Sequence, residues 1–184
     1  MRPVPRPSSG RAAAPSPSAA VSSATQLASR VRLLACGEPA RGDDGVAPLA
    51  VQRALARLPA AVRAQIEVRR RPGLDPADLV DLSAGTALLI VDAVVGVAPG
   101  SLVRRPLGEI PAAGGPAPAS SHTLPIGDVL RIVEAASGQR PDGVFLGLGG
   151  LEFRLGAGLS GPVAEAVPRL EAAIVAEIRR YLRS

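Results

Sequence analysis

Lysine is absent from this chain of 184 residues, so every one of its 21 basic residues is an arginine. That absence excludes a Walker-type phosphate loop, a Schiff-base lysine and a Ser-Lys dyad. Cysteine occurs once, at Cys36, and cannot form an internal disulfide, which fits a reducing compartment. Histidine also occurs once, at His122, too few for a zinc site of the usual His/Cys kind. Tryptophan is missing and aromatics make up 2% of the chain, leaving almost nothing on which nucleic-acid bases could stack. Acid is missing from the first 30 residues, which hold Arg2, Arg6, Arg11 and Arg30, so the net charge of +5 falls to +1 over the remainder. A folded part that close to neutral argues against a nucleic-acid partner. Long apolar runs are lacking too: the longest, from Thr86 to Ala98, is interrupted by Asp92 and too short to span a bilayer. No apolar core of a secretory signal precedes residue 27.

What is present suits one α/β domain. The length allows a single domain with a full core, and 47% apolar content with so few aromatics means a core of Leu, Val, Ile and Ala. Residues 1–28, rich in Pro, Ser and Ala without a usable apolar period, read as a disordered tail, and residues 29–184 as the domain. An organellar transit peptide is the competing reading of the tail, which its prolines oppose.

Val31 to Ala35 reads as a buried parallel strand, followed by a helix from Val46 to Leu58. Gln65 to Arg70 alternates as a half-buried strand, and Asp75 to Leu82 reads as a short helix behind Pro72-Gly73. Thr86 to Val91 is the most apolar strand, and Ser101 to Arg105 a weaker one. A Gly/Pro-rich loop runs from Pro106 to Ser121, a length that is often functional. A helix over Leu124 to Ala136, a strand over Val144 to Leu148 and a helix over Pro162 to Leu182 complete the chain. Pro168 should kink that last helix or mark its true start. The glycines of Gly147-Leu148-Gly149-Gly150 and Gly156-Ala157-Gly158 look like turns. The order predicts a doubly wound, three-layer α/β/α sandwich with a mostly parallel sheet of about five strands.

In such sheets ligands bind beyond the carboxyl ends of the strands, which directs attention to three places. Asp43 and Asp44 lie in the glycine-framed crossing after the first strand. They could ligate a metal or move a proton, or they could simply cap the next helix. Asp92 stands in an otherwise apolar strand, where an acid needs a partner or a path to solvent. His122 precedes a helix, where it is either a surface residue or, joined to two carboxylates, a ligand for a borderline ion such as nickel. Cys36, beside the turn, is either a small core residue or half of a nucleophilic Cys36–His122 pair.

The stretches CGEPARGDDGVAPLAV, LLIVDAVVGVAPGSL, SSHTLPIGDVL and LGLGGLEFRLGAGLSGPVAEAV occur in this order and span most of residues 31–184. Together they resemble the endopeptidases that mature nickel-iron hydrogenase large subunits. The resemblance implies a cytoplasmic protease that removes a C-terminal extension from a nickel-loaded large-subunit precursor. It implies that Asp44, Asp92 and His122 contact the nickel, with Asp44 and Asp92 as the catalytic carboxylates. No cofactor would be permanently bound, because the substrate supplies the nickel. The expected partner is the hydrogenase large-subunit precursor, with no nucleic acid or membrane and with the protein itself a monomer. A non-cleaving nickel-sensing chaperone is the alternative. The sequence departs from the family pattern at Asp44, where some relatives have Glu, and at Glu38 and Ala47, where Asn and Gly are common. Arg71-Pro72-Gly73-Leu74 replaces the usual glycine-threonine motif, in a region that bears on substrate choice.

Overall fold

The computed structural model describes residues 30–111 and 125–183. The tail assigned to residues 1–28, His122 and most of the loop assigned to residues 106–121 therefore lie outside the described residues. Five strands form one sheet: β1 (Val31–Cys36), β2 (Ile66–Arg71), β3 (Ala87–Val94), β4 (Leu102–Pro106) and β5 (Gly143–Gly149). Their spatial order is β2-β1-β3-β5-β4, parallel throughout except for β4, which runs antiparallel to β5 along one edge. The helices are α1 (Val46–Ala56), the single turn α2 (Ala60–Arg63), α3 (Ile126–Ser137) and α4 (Gly161–Arg183).

Burial on both faces explains why β1 and β3 read as continuous apolar runs. Alternate side chains serve two cores. Leu33 and Ala35 of β1 join Leu89 and Val91 of β3 beneath α1 and α4. Leu34, Leu88 and Ile90 face the other way, under Val129, Leu130 and Val133 of α3. In α4, Val163, Val167, Leu170, Ile174 and Ile178 recur at helical spacing and all are buried. At roughly 1.5–3 kcal/mol for each fully buried aliphatic side chain, that stripe outweighs the backbone bond lost at one proline. Pro168 consequently sits inside a helix that neither stops nor restarts there.

The expected helix over Asp75 to Leu82 is instead one 3₁₀ turn, Pro76–Asp78, with Asp75 accepting from the Ala77 amide. Its polar groups are drawn sideways to arginines of β1 and β2. Arg32 Nη1 donates to the Asp78 carbonyl at 3.0 Å, and Arg71 Nε donates to the Asp78 carboxylate at 2.8 Å. The first crossover helix ends at Ala56 rather than Leu58, and Pro59 starts the separate turn α2. Gly147 and Gly149 lie within β5 and not in a turn. There a side chain at Gly147 would strike Val94 and Phe145, so close strand packing explains that glycine.

Arg32 is only 5% exposed, yet it reaches both Glu67 and Asp81. Replacing it takes away the more buried of the two guanidinium groups that each acid and the Asp78 carbonyl share, leaving Arg69 as the remaining partner. Arg32→Ala is expected to cost roughly 2–3 kcal/mol, below the usual toll for a fully buried pair because Glu67 and Asp81 keep some water. A lower urea midpoint with an unchanged slope checks this.

Candidate active site at the carboxyl ends of β1 and β3

β1 and β3 pair as far as Ala35 and Val91, and then they part. From β1 the chain goes by α1 to β2 on one side of this pair, whereas from β3 it goes by β4 and α3 to β5 on the other. The two middle strands thus diverge at a topological switch point, the position at which open α/β sheets form a crevice. Cys36 and Asp92 are the next residues on each strand, and the turn Gly42–Gly45 lies against β3 beside them.

Asp43 and Asp44 are adjacent in sequence and buried together, yet they have separate tasks. Neither side chain caps the turn or α1. Asp43 gathers the loop that follows β5. Its Oδ2 accepts from the amides of Leu151 at 2.8 Å and Glu152 at 2.9 Å and from the Ser160 hydroxyl at 2.8 Å. Its Oδ1 accepts from the Ser160 amide at 2.7 Å. Burial opposes ionisation of Asp43, but the hydrogen bonds from Glu152, Leu151 and Ser160 outweigh it and hold the pKa below the ordinary carboxylate value. Asp43 is therefore an anchor. Sequence reasoning placed it beside Asp44 as a candidate and had no local signal for this role.

Asp44 turns back on the segment after β1. Its Oδ2 accepts from the Glu38 amide at 2.8 Å, and its Oδ1 has no hydrogen-bond donor among the described residues. Gly37 makes that closure possible at φ +122°, and a Cβ there would fall 2.0 Å from the Asp44 carbonyl oxygen. Asp92 is likewise half engaged: Oδ1 accepts from the Ala93 amide at 2.8 Å, and Oδ2 has no donor among the described residues. Burial, with the nearby Asp44 charge adding to it and the Ala93 bond opposing, pushes the Asp92 pKa up to about 7. Among the described residues, each of these two carboxyl groups keeps one oxygen free of donors at the head of the crevice.

Cys36 is fully buried, and burial together with the charges of Asp92, Asp78 and Asp44 pushes its thiol pKa well above the ordinary value. A thiolate nucleophile is disfavoured in that setting, so the Cys36–His122 pair loses its physical basis. Cys36 acts as a small core residue next to Asp92. Among the described residues no three His, Cys, Asp or Glu side chains are grouped to hold a metal ion. His122, the third expected ligand, is outside the described residues.

Residues 73–177 match the family model for hydrogenase maturation proteases. The chain belongs to the hydrogenase maturation protease family. Its fold is that of the hydrogenase maturating endopeptidase HybD from E. coli, at 23% identity and a TM-score of 0.65 over 82% of this chain and 93% of that one. The hydrogenase maturation protease HycI from Thermococcus kodakarensis KOD1 is similar at 22% identity and a TM-score of 0.58, with the same coverage. HybD from Thermococcus kodakarensis is similar at 25% identity and a TM-score of 0.57, over 79% of this chain and 96% of that one. No curated protein matches the chain. No helix among the described residues is long and apolar enough to cross a membrane.

Two outcomes follow for stability. Asp43→Asn places an amide donor among three backbone N–H groups and should cost about 2–3 kcal/mol. Faster amide exchange at Leu151, Glu152 and Ser160 than at the centre of β3 checks it. For Asp92 the native pKa, about 7, exceeds the ordinary carboxyl value of 3.8, so the native state binds more protons between these limits. Its contribution is fully present below about pH 4 and is lost as pH rises through 7, up to about 4 kcal/mol. Asp92→Asn should flatten that part of the stability–pH curve, as read by urea unfolding at pH 5 and pH 8.

Proposed function

We propose that this protein is a cytoplasmic endopeptidase that removes the C-terminal extension of a nickel-loaded nickel-iron hydrogenase large-subunit precursor. The observation that carries this reading is the pair of half-engaged carboxyl groups, Asp44 and Asp92, at the switch-point crevice of a hydrogenase maturation protease fold. Asp44, Asp92 and His122 are the residues assigned to contact the substrate's nickel. Two carboxylates and one imidazole suit a borderline divalent ion but leave its coordination incomplete. The precursor completes the set, so recognition depends on the metal having been installed, and the protein needs no permanently bound cofactor.

Hydrolysis of the peptide bond requires water to add to the scissile carbonyl carbon, a proton to leave that water, and a proton to reach the departing amine. With a pKa of about 7 before the substrate binds, Asp92 gives up its proton readily to become a carboxylate beside the nickel, and as a carboxylate it is placed to take a proton from the attacking water and deliver it to the departing amine. Asp44, at the end of a short side chain fixed by the Glu38 amide, supplies the second carboxylate. Nickel polarising the carbonyl is compatible with the same groups.

Intact-mass spectrometry of nickel-loaded and nickel-free precursor tests the reading. The wild-type protein should release a C-terminal peptide from the loaded form alone. Asp92→Asn and Asp44→Asn should each slow release by about a hundredfold or more, and Cys36→Ser should retain it. Nickel-dependent binding without any loss of mass would instead make the protein a nickel-sensing chaperone.

A further inference from the structure

Three consecutive arginines close β2, and they divide between the two faces of the sheet. Arg69 and Arg71 are on the α3 side, and both meet acids: Arg69 Nη2 lies 2.9 Å from Asp81 Oδ2, and Arg71 Nε 2.8 Å from Asp78 Oδ1. Arg70, in register with Ala35, is on the α1 side. It is exposed, and no acidic side chain among the described residues pairs with its guanidinium.

Arg70 borders a groove of about 430 Å³ whose walls include Pro39, Leu49, Leu159 and the turn glycines Gly42 and Gly45. Those glycines bracket Asp43 and Asp44, so the groove shares its wall with the turn that carries the candidate catalytic carboxylate. Leu155 is 75% exposed and immediately precedes Gly156, whose amide donates to the Ala40 carbonyl at 2.7 Å. A large apolar side chain is thereby held in solvent one residue from the strap that ties this loop to the Pro39 wall.

We propose that this groove, with Arg70 at its mouth, docks an extended apolar stretch of the precursor that bears a carboxylate; this rests on the function proposed above. An apolar channel beside a guanidinium that no described acid pairs with is complementary to such a segment, and arginine's planar fork suits bidentate capture of a carboxylate. The chain's own first 29 residues are a poor occupant because they contain no acid. A second copy approaching by its own arginine-bearing edge would bring like charge to Arg70.

The test follows cleavage and binding of the nickel-loaded precursor, by mass spectrometry and biolayer interferometry, for wild type, Arg70→Ala, Arg70→Glu, Arg70→Lys and Gly158→Phe. Arg70 is exposed, and a Cβ at Gly158, which also lines the groove, would meet nothing within 4 Å, so these variants should keep the wild-type melting temperature. Arg70→Ala should raise KM and Kd by roughly tenfold with kcat much less affected, Arg70→Glu more, and Arg70→Lys, which keeps the charge but not the fork, should recover only part of the loss. Gly158→Phe should raise KM by occluding the groove. If the wild type cleaves and the Arg70 and Gly158 variants keep its KM and Kd, the docking proposal is overturned and the protease reading stands. If the wild type binds without cleaving, the protease reading fails and the Kd values alone decide the groove. If it neither binds nor cleaves, both are overturned.

Discussion

The carboxylate of Asp43 holds together two parts of the chain that sequence keeps 108 to 117 residues apart. Three amides and one hydroxyl converge on it, and they come from the loop between β5 and α4. Paired backbone contacts reinforce the clamp: the Asp43 amide donates to the Glu152 carbonyl at 2.7 Å and the Gly42 amide to the Ala157 carbonyl at 3.1 Å. The turn that presents Asp44 is fixed from outside by this clamp and from within by the Glu38 amide. Without it, the Asp44 carboxylate would stand on a turn held at one end only.

The arginines provide a second level of order. Lacking lysine, the chain uses planar five-donor groups wherever it needs a cation, and one guanidinium can therefore serve more than one acid. Arg32 and Arg69 both reach Glu67 and Asp81, while Arg71 takes both oxygens of Asp78. This network fastens the segment between β2 and β3 to the sheet and does so at the side of Cys36 and Asp92. Asp78 is close enough to add to the electrostatic pressure on the Cys36 thiol.

The sheet and Asp92 were legible in the sequence because each depends on a local pattern. Apolar runs such as LLIV announce a strand buried on both faces, and an acid inside one stands out against it. Asp43 was not distinguishable from Asp44, since its partners are remote and include backbone amides that carry no residue signature. The breaker Pro72-Gly73 suggests a helix over Asp75–Leu82, but Asp78 and Asp81 serve the arginines of neighbouring strands, so only one 3₁₀ turn forms. Pro168 does not mark the start of α4, because a stripe buried against the sheet and α1 keeps the helix continuous across it.

The sheet ends in β2 on one side and β4 on the other, and an open edge is a template for strand addition. Here IEVRRR and LVRRP form those edges, with exposed arginines at Arg70 and Arg105 and a proline at the close of β4. Like charge discourages two copies from joining edge to edge, and Pro106 offers no N–H to extend the ladder. The composition that leaves this protein without lysine thus also guards its sheet against growing into another molecule's.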